Sequence, residues 1–296
     1  MRKVVIGPIE ILQRYVSREF WYTMCVLAAD YEWGVLDQSA LPHHSGALPL
    51  VLRRRFGEMP EVVLFLETYD AAARHAEALA DWGARLYVKT EDLHCRFDRM
   101  SEALGKATAV LSTYAPRLTA FLPEVEGAKV IWVPHGAGPD FLLPLAETPV
   151  KAVFVSGAIN DCYPLRSAMR DLVLRRPELG RIHGHPGYIA AYDHASDRRV
   201  GHGYAEAIRQ CLAAFTDGLR FGYVVAKNFE IPATGALLIA DRAMSAQLAD
   251  LETVVERVLD DGNRAEIDAI RRGGHALIRE RHTTRHRAQQ IDAACV

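Results

Sequence analysis

The chain lacks several features that would assign it at once to a common class. The sequence of 296 residues contains no apolar run long enough to cross a membrane. Its amino-terminal stretch, MRKVVIGPIE, lacks the sustained apolar region of a secretory signal. The net charge is only -2, which disfavours a dedicated nucleic-acid-binding protein because such proteins are usually clearly basic. These absences predict a cytoplasmic globular protein.

Disulfide, metal and cofactor patterns are also missing. The five cysteines are scattered and form no CxxC pair, which indicates reduced thiols rather than a disulfide framework or a zinc site. His183 and His185 form a His-Gly-His pair without further ligands at a recognisable spacing. No GxGxxG follows the first apolar segment, and no GxSxG occurs, which disfavours dehydrogenases and serine hydrolases. We therefore expect no metal and no cofactor.

Short apolar segments alternate with helical patterns along the chain. The predicted strands include KVVIG, EVVLFLE, ARLYVKT, TAVLST, KVIWVP and KAVFVSG. Between them lie amphipathic segments such as DAAARHAEALADWG, with Asp70 as a predicted N-cap and Gly83 as a predicted C-cap. This alternation is typical of parallel sheets that helices cover on both faces.

The stretch VPHGAGPDFLLPLAETP, residues 133–149, interrupts this rhythm with glycine and proline and is the best candidate for a linker. The sequence thus predicts an α/β protein with two Rossmann-like domains that face each other across a cleft. The predicted bounds are 1–140 for the first domain and 141–280 for the second, with a helix over 281–296 that crosses back to the first domain. Ligands of such sheets bind at the carboxyl ends of the strands.

One stretch of the second half, RFGYVVAKNFEIPATGALLIAD, contains a lone glutamate, Glu230, before a turn that ends in glycine. Glu230 either accepts hydrogen bonds from the two hydroxyls of a ribose or only stabilises the start of a helix. Lys227, three residues earlier, either neutralises a phosphate or is a surface cation. The spacing alone leaves both alternatives open.

The segment KNFEIPATGALLIAD resembles the donor-site motif of GT-B glycosyltransferases, and most closely the branch typified by the spore maturation protein CgeB. Three other segments fit that family in the expected order, namely VPHGAGPDF, FVSGAINDCYPLRSAM and RERHTTRHRA. The resemblance is good from about residue 129 to the end and weak before it. It implies a hexosyltransferase that moves a sugar from a nucleotide-diphosphate sugar, bound by the second domain, to a hydroxyl acceptor held by the first domain. The acceptor is a saccharide, a protein, a metabolite or, less favoured by the charge, a modified nucleic-acid base.

The resemblance also suggests which residues bind the donor. It assigns the ribose to Glu230 and the diphosphate to the turn at Ser156 and Gly157, where N–H groups at a helix entrance bind anions. Lys227 is a second diphosphate ligand, and Arg166 either adds charge or is only a helix-surface residue. The loop of residues 184–187, together with Tyr188, is expected to contact the base.

The chain departs from the family at one point. Many retaining GT-B enzymes have two glutamates separated by seven residues, but the matching positions here are Gly222 or Leu219. The carboxylate that would hold the donor sugar is absent, or backbone groups of Phe221, Gly222 and Tyr223 replace it. The stereochemical outcome and the identity of the sugar therefore stay open.

Three residues are candidates for catalysis. Asp92 and His94 follow the polar strand exit YVKTEDLHCRF, where either could act as a general base, although Asp92 could instead cap a helix and His94 could be structural. His135 of VPHGAG either approaches the ligand or is a buried structural histidine. Two other functions are compatible with the sequence. One is a nucleotide-sugar epimerase on the same fold, and the other is a non-catalytic spore-coat or assembly protein with a vestigial fold.

Overall fold

The computed structural model of the protein describes residues 2–95, 98–125, 129–158, 160–187, 192–193, 196–241 and 251–295. Contacts divide the chain into two compact units. Unit 1 comprises Met1–Gln13, Phe20–Pro134 and Thr284–Val296, and unit 2 comprises Arg14–Glu19 and His135–Thr283. Each unit therefore includes one short segment that is remote in sequence from the rest of the unit.

Unit 1 contains a six-stranded, wholly parallel sheet in the order β2-β1-β3-β4-β5-β6. Its strands are β1 (Lys3–Gly7), β2 (Gly34–Asp37), β3 (Val62–Leu66), β4 (Arg85–Thr90), β5 (Ala109–Ser112) and β6 (Lys129–Trp132). Every residue of β3, VVLFL, is buried, because helices cover both faces of a parallel sheet. The short strand β2 was not predicted from the sequence.

Unit 2 contains a four-stranded parallel sheet in the order β10-β9-β7-β8. Its strands are β7 (Val150–Ser156), β8 (Gly180–His183), β9 (Cys211–Thr216) and β10 (Leu237–Ala240). All six residues of β9, CLAAFT, are buried. The two parallel sheets with their helices confirm the predicted α/β class.

The helices connect the strands and flank the sheets. They are α1 (Ile9–Arg14), α2 (Glu19–Tyr31), α3 (Leu48–Phe56), α4 (Tyr69–Asp81), α5 (Met100–Lys106), α6 (Ala115–Phe121), α7 (Pro164–Arg175), α8 (Gly201–Arg209), α9 (Lys227–Ala233), α10 (Leu251–Leu259), α11 (Arg264–Arg281) and α12 (Thr284–Ala294). Within the described part of the chain, no helix has the length and apolar character to cross a membrane.

The start of α4 differs from the sequence prediction. The N-cap is Thr68, and Asp70 lies in the first turn instead. The reason is that the carboxylate of Asp70 forms ion pairs with Arg74 and Arg99 rather than capping the helix. The predicted stop is one residue late, since α4 ends at Asp81 and Gly83, with φ of 77°, forms the turn that follows.

Each sheet has a point at which the order of the strands reverses. In unit 1 the chain runs from β1 outward to β2 and then returns to the other side of β1 to form β3. In unit 2 it runs from β7 to β8 and then forms β9 on the other side of β7. The loops at such a point leave in opposite directions and open a crevice at the carboxyl ends of the strands. The two crevices, after β1 and β3 and after β7 and β9, are thus the places where ligands are expected.

Candidate active site

Helix α9 contains Glu230, the residue on which the donor-site prediction depends. Glu230 is the fourth residue of α9, and its backbone N–H already donates to Ala226 O at 3.0 Å. The helix ends at Ala233, and Gly235 follows with φ of 84°. A Cβ on Gly235 would lie 2.5 Å from the side chain of Leu145, so only glycine fits this turn.

Glu230 is almost wholly buried, with 4% of its surface exposed. Burial raises the pKa of its carboxyl to about 7, and the neighbouring carboxylate of Glu19 acts in the same direction. The charge of Lys227 is the main opposing effect, followed by His135 and a hydrogen bond with Ser17. Near pH 7 the side chain therefore exists partly as the acid and partly as the carboxylate. This distinguishes it from an ordinary glutamate at the start of a helix.

A second buried carboxylate orients His135. Glu19 Oε2 lies 2.7 Å from His135 Nδ1, and Glu19 Oε1 accepts the backbone N–H of Gly136 at 2.7 Å. Both side chains are buried. Because the carboxylate accepts, Nδ1 carries the hydrogen, and Nε2 of a neutral ring keeps its lone pair. This is the arrangement in which a histidine acts as a base.

The turn after β7 is surrounded by positive charge. Gly157 has φ of 101°, and a Cβ placed on it would lie 2.7 Å from Arg166 Nη1 and 3.3 Å from Lys227 Nζ. Glycine is thus required both by the backbone conformation and by the close approach of two cations. Among the residues that the structure describes, no carboxylate forms an ion pair with Lys227.

Arg166 is buried at the start of α7, not on the surface of the helix. Asp217, directly after β9, accepts the backbone N–H of Arg166 at 2.9 Å and lies 3.1 Å from its Nη2. The guanidinium also stacks on the ring of Tyr163, 3.7 Å from its centroid. Its Nε has no hydrogen-bond partner within the described ranges. Arg166 therefore retains an unused donor although Asp217 compensates its charge.

The loop after β8 adds a third donor to this cluster. His185 Nδ1 accepts the backbone N–H of Gly187 at 3.0 Å, so Nε2 carries the hydrogen when the ring is neutral. Burial, together with the charges of Lys227 and Arg166, lowers the pKa of His185 to about 4. The ring is thus neutral at physiological pH, chiefly because it is buried and also because two cations lie near it.

Tyr204 of α8 packs between these elements. Its hydroxyl lies 2.7 Å from Ser156 Oγ, so the serine predicted to bind the diphosphate uses its hydroxyl within the protein. Lys227 Nζ lies 5.5 Å from the centroid of the Tyr204 ring, within the range of a cation–π contact. Tyr204 thereby limits the positions that Lys227 can take beside Gly157.

The loop before α9 was predicted to hold the donor sugar through its backbone. It is closed by its own hydrogen bonds, from Tyr223 N to Gly218 O at 2.6 Å and from Gly222 N to Leu219 O at 3.2 Å. Leu219 and Gly222 both have positive φ, 55° and 67°, as a tight turn requires. These two N–H groups are thus bonded within the loop, and the sugar-binding role of Gly222 and Tyr223 stays a prediction.

The remaining predicted site residues lie elsewhere. Asp92 and His94 belong to unit 1, where Asp92 has φ of 34° and precedes the short turn Leu93–Cys95. His94 Nε2 lies 3.7 Å from Cys95 Sγ. Tyr188 lies outside the described residues. The structure therefore brings together Glu230, Lys227, Gly157, Arg166 and His135 within unit 2, with Ser156 beside them.

Sequence reasoning missed Glu19, Asp217 and Tyr204, and it placed His185 in the base-contacting loop of residues 184–187 without giving its side chain a role. Asp217 could have been found, because it directly follows an apolar strand, where parallel sheets place ligand-binding residues. Glu19 and Tyr204 carry no such signal, since they reach the site only through the fold. Among the described residues, no group of three or more histidine, cysteine or acidic side chains is arranged to hold a metal.

The arrangement suits a ligand with an anionic part and hydroxyl groups. Arg166 and Lys227 present donors around Gly157, which is what a phosphate group requires, and the charges of both act on the nearby ring of His185. Glu230, on the same helix as Lys227, offers acceptors that hydroxyl groups can use. The cluster lies at the point in the sheet where ligands are expected.

No protein-family model matches the chain, and no curated protein matches its sequence. Solved structures match over nearly the whole length. Anabaena HepE in complex with UDP is 11% identical with a TM-score of 0.58, and the match covers 99% of both chains. The DNA-modifying enzyme β-glucosyltransferase, studied with and without uridine diphosphoglucose, is 12% identical with a TM-score of 0.57, covering 99% of this chain and 98% of that chain. A putative UDP-N-acetylglucosamine 2-epimerase from Listeria monocytogenes is 12% identical with a TM-score of 0.48, covering 99% and 96%.

At such low identity the likeness establishes the fold and nothing finer. The chain has the α/β fold of GT-B proteins, with one parallel sheet of six strands and one of four. This confirms the predicted GT-B class.

Proposed function

We propose that the protein is a glycosyltransferase that moves a sugar, expected to be a hexose, from a nucleotide-diphosphate sugar to a hydroxyl acceptor. The observation that carries the proposal is helix α9, which presents Glu230 and Lys227 side by side with the cationic turn at Gly157. The UDP and uridine diphosphoglucose named for two structures of the same fold support it. The resemblance of the α9 segment to the CgeB branch supports it too, and membership of that branch is part of the proposal.

The donor would be bound through its nucleotide. Glu230 accepts hydrogen bonds from the ribose hydroxyls, and Lys227, Arg166 and the backbone at Gly157 hold the diphosphate. In the transfer reaction the diphosphate leaves with negative charge developing on its oxygen, so cations fixed at this position stabilise the transition state. Cations that are already fixed in a buried cluster stabilise the transition state at a lower free-energy cost than water does, because water must first reorganise around the charge.

The acceptor hydroxyl needs a base, and His135 is the candidate whose geometry fits best. Nε2 takes the proton of the hydroxyl while the acceptor oxygen bonds to the anomeric carbon of the sugar. The bond from that carbon to the diphosphate oxygen breaks, and the nucleoside diphosphate departs. Glu19 stabilises the imidazolium that forms, through its 2.7 Å contact with Nδ1. Asp92 and His94 of unit 1 are the alternatives for this role.

The first experiment is a thermal-shift panel with UDP, ADP, GDP, TDP and UDP-glucose. A ligand that binds only the folded protein raises its melting temperature, so at least one diphosphate is expected to give a concentration-dependent rise. Calorimetric titration of that ligand then gives its affinity for the wild type and for the Glu230→Gln and Lys227→Met variants. Both variants are expected to bind at least tenfold more weakly.

Two exposed residues of unit 2 provide matched controls, Glu266→Gln and Lys151→Met. Each removes the same charge from the surface and is expected to leave the affinity unchanged. The 2′-deoxy form of the diphosphate tests the ribose contact directly. The wild type should prefer the ribo form, and Glu230→Gln should lose most of that preference. Absence of any melting shift across the panel, or an unchanged affinity in Glu230→Gln, would remove the proposal.

The same assay separates the alternatives. A transferase releases nucleoside diphosphate when an acceptor is present, whereas an epimerase returns an isomerised nucleotide sugar. A non-catalytic protein turns over neither.

All five cysteines are free thiols, which fits the cytoplasmic location that we include in the proposal.

A further inference from the structure

A short segment of the amino-terminal chain, Arg14–Glu19, belongs to unit 2 although the residues on either side of it belong to unit 1. We call this segment the strap. It runs from the last residue of α1 to the first residue of α2. The rest of unit 2 comes from His135–Thr283, so the contacts of the strap within that unit join remote parts of the chain. None of the site residues predicted from the sequence lies in the strap.

The middle of the strap is tied to two helices of the candidate site. Val16 O accepts the backbone N–H of Gly201, the first residue of α8, at 2.8 Å. The side chain of Ser17 forms a hydrogen bond with that of Glu230 in α9, and this bond favours the carboxylate form of the acid. Ser17 thereby helps to fix the direction of the carboxylate that is proposed to hold the ribose.

The end of the strap reaches the histidine of the candidate site. Glu19, two residues after Ser17, lies 2.7 Å from His135 Nδ1 and accepts the backbone N–H of Gly136 at 2.7 Å. One short segment thus orients both the acid proposed to bind the donor and the histidine proposed as the base. Because Ser17 and Glu19 are so close in the chain, a displacement of the strap would disturb both contacts together.

Arg18, between these two residues, anchors the strap through a two-pronged ion pair with Asp140. Nη2 of the guanidinium lies 2.9 Å from Asp140 Oδ1 and 2.7 Å from Oδ2, and Nε lies 3.2 Å from Oδ2. The two side chains are 22% and 11% exposed, so salt and solvent screen the pair only partly. Asp140 lies in the turn Pro139–Phe141, and the ring of Phe141 is buried. The ion pair therefore joins the strap to a packed part of unit 2.

The backbone of Arg18 indicates that its side chain is needed at this position. Its φ is 54°, in the left-handed region where glycine is the residue of least strain. A bulky residue held in this region costs free energy, and such residues concentrate at functional sites. Arginine adds what glycine lacks, a guanidinium that binds a carboxylate in a fixed geometry.

We propose that Arg18 is a positioning residue, which acts through the residues on either side of it. Its ion pair with Asp140 keeps the serine before it on Glu230 and the glutamate after it on His135. The roles of the acid and the histidine in transfer rest on the proposed function, whereas the orientation of the two side chains does not.

Two variants break the ion pair from opposite sides, Arg18→Asn and Asp140→Asn. Asparagine is among the residues that tolerate the left-handed region, so Arg18→Asn removes the guanidinium without added backbone strain. One variant removes a positive charge and the other a negative charge, so their direct electrostatic effects on the site have opposite signs. Loss of positioning has the same sign in both. Arg264→Asn, which breaks another partly exposed Arg–Asp pair of unit 2, is the matched control.

The first measurement needs no nucleotide. Nitrogen NMR of isotope-labelled histidine shows whether the neutral ring of His135 carries its hydrogen on Nδ1 or on Nε2, and His135→Gln identifies the signal. The wild type is expected to carry it on Nδ1, because the carboxylate of Glu19 accepts there. The ratio of the Nε2 form to the Nδ1 form is expected to rise at least threefold in both ion-pair variants and to stay unchanged in Arg264→Asn. The melting temperature of each variant confirms that it is folded.

The second measurement is the preference for a ribonucleoside diphosphate over its 2′-deoxy form, obtained by calorimetric titration. Both ion-pair variants are expected to lose at least threefold of this preference, because Glu230 is no longer held in one direction. The control Arg264→Asn is expected to keep it.

The proposal fails if both ion-pair variants match the wild type in tautomer ratio and in ribose preference, since the pair then only stabilises the fold. It fails too if the two variants shift the tautomer ratio in opposite directions, which would identify a direct effect of charge. Failure of the proposed function would appear separately, as no binding of any nucleoside diphosphate by the wild type. In that case the tautomer ratio alone decides whether Arg18 positions the site.

Discussion

Asp217 holds Arg166 at two points, accepting its backbone N–H at 2.9 Å and facing its guanidinium at 3.1 Å. Both side chains are buried, at 2% and 3% exposure. The carboxylate thus fixes the first turn of α7 and the direction of the guanidinium together. Since Arg166 faces Gly157, this pair connects the end of β9 to the turn after β7 at the switch point of unit 2.

Asp217→Asn is expected to destabilise the protein strongly. The amide can still accept the N–H of Arg166, but the buried guanidinium loses its counter-charge, a change that typically costs about 3–5 kcal/mol. Urea unfolding of the variant measures the loss. Asp171→Asn removes an exposed charge from the same helix, 58% exposed, and is expected to change the free energy of unfolding by less than about 0.5 kcal/mol. Equal effects of the two changes would show that the pair has no structural role.

Gly157→Ala is expected to lower both stability and nucleotide affinity. The added Cβ would meet Arg166 Nη1 at 2.7 Å, and φ of 101° strains any residue other than glycine. Gly273 in α11 is the matched control, because nothing lies within 4 Å of a Cβ placed there. Gly273→Ala should instead raise the free energy of unfolding by roughly 0.5–1 kcal/mol. Denaturant unfolding of both variants, with a calorimetric titration of Gly157→Ala, tests this contrast.

The sequence predicted the elements of the fold well because their signals are local. Apolar runs identified β1, β3, β4, β5, β6 and β7, whereas β2, with four residues of moderate burial, lacked a distinctive pattern. The lone acid Glu230 and its neighbour Lys227 were found because they share one short segment. Asp217 does carry a local signal, because it directly follows the apolar strand β9. Glu19 depends on a contact with His135, 116 positions away, so no local pattern marks it.

The burial of Arg166 could not be predicted from spacing for the same reason. A helical arginine near the start of an amphipathic segment is usually exposed. Here the carboxylate of Asp217, from a distant strand end, compensates its charge and makes burial possible.

The stability of the protein is expected to depend on pH through Glu230. Its pKa is about 7 in the folded protein against an ordinary value of 4.5, so the folded state keeps the proton that the unfolded state loses. The free energy of unfolding therefore falls as pH rises from about 4.5 to about 7, by about 3 kcal/mol in all, and is level above that.

Glu230→Gln isolates this effect from other titrating groups. His185 acts with the opposite sign, because its pKa of about 4 lies below the ordinary 6.5 and its contribution rises with pH between those values. Subtracting the wild-type curve from that of Glu230→Gln cancels His185. The variant is expected to gain stability relative to the wild type as pH increases from 5 to 8. A difference that is constant over this range would contradict the buried, protonated state of Glu230.

Nucleotide affinity should show the reverse pH dependence. Ribose hydroxyls donate most strongly to the ionised carboxylate, and a group with a pKa of about 7 is about ten times more ionised at pH 8 than at pH 6. Calorimetric titrations of the best diphosphate at these two values should therefore differ by up to about tenfold in the wild type. The phosphate itself titrates in this range, so the ratio for Glu230→Gln provides the baseline. Equal ratios in both proteins would place the ribose away from Glu230.

The pairing of Glu19 with His135 predicts which histidine is the base. Glu19→Gln removes the charge that stabilises the imidazolium but keeps a group that can hold the ring, so transfer should slow by on the order of 10²–10⁴-fold while nucleotide affinity changes little. His135→Gln should be slower still, and His94→Gln in unit 1 should retain near wild-type turnover. If His94→Gln instead abolishes transfer and Glu19→Gln leaves the rate of transfer unchanged, the base belongs to unit 1 and His135 is structural.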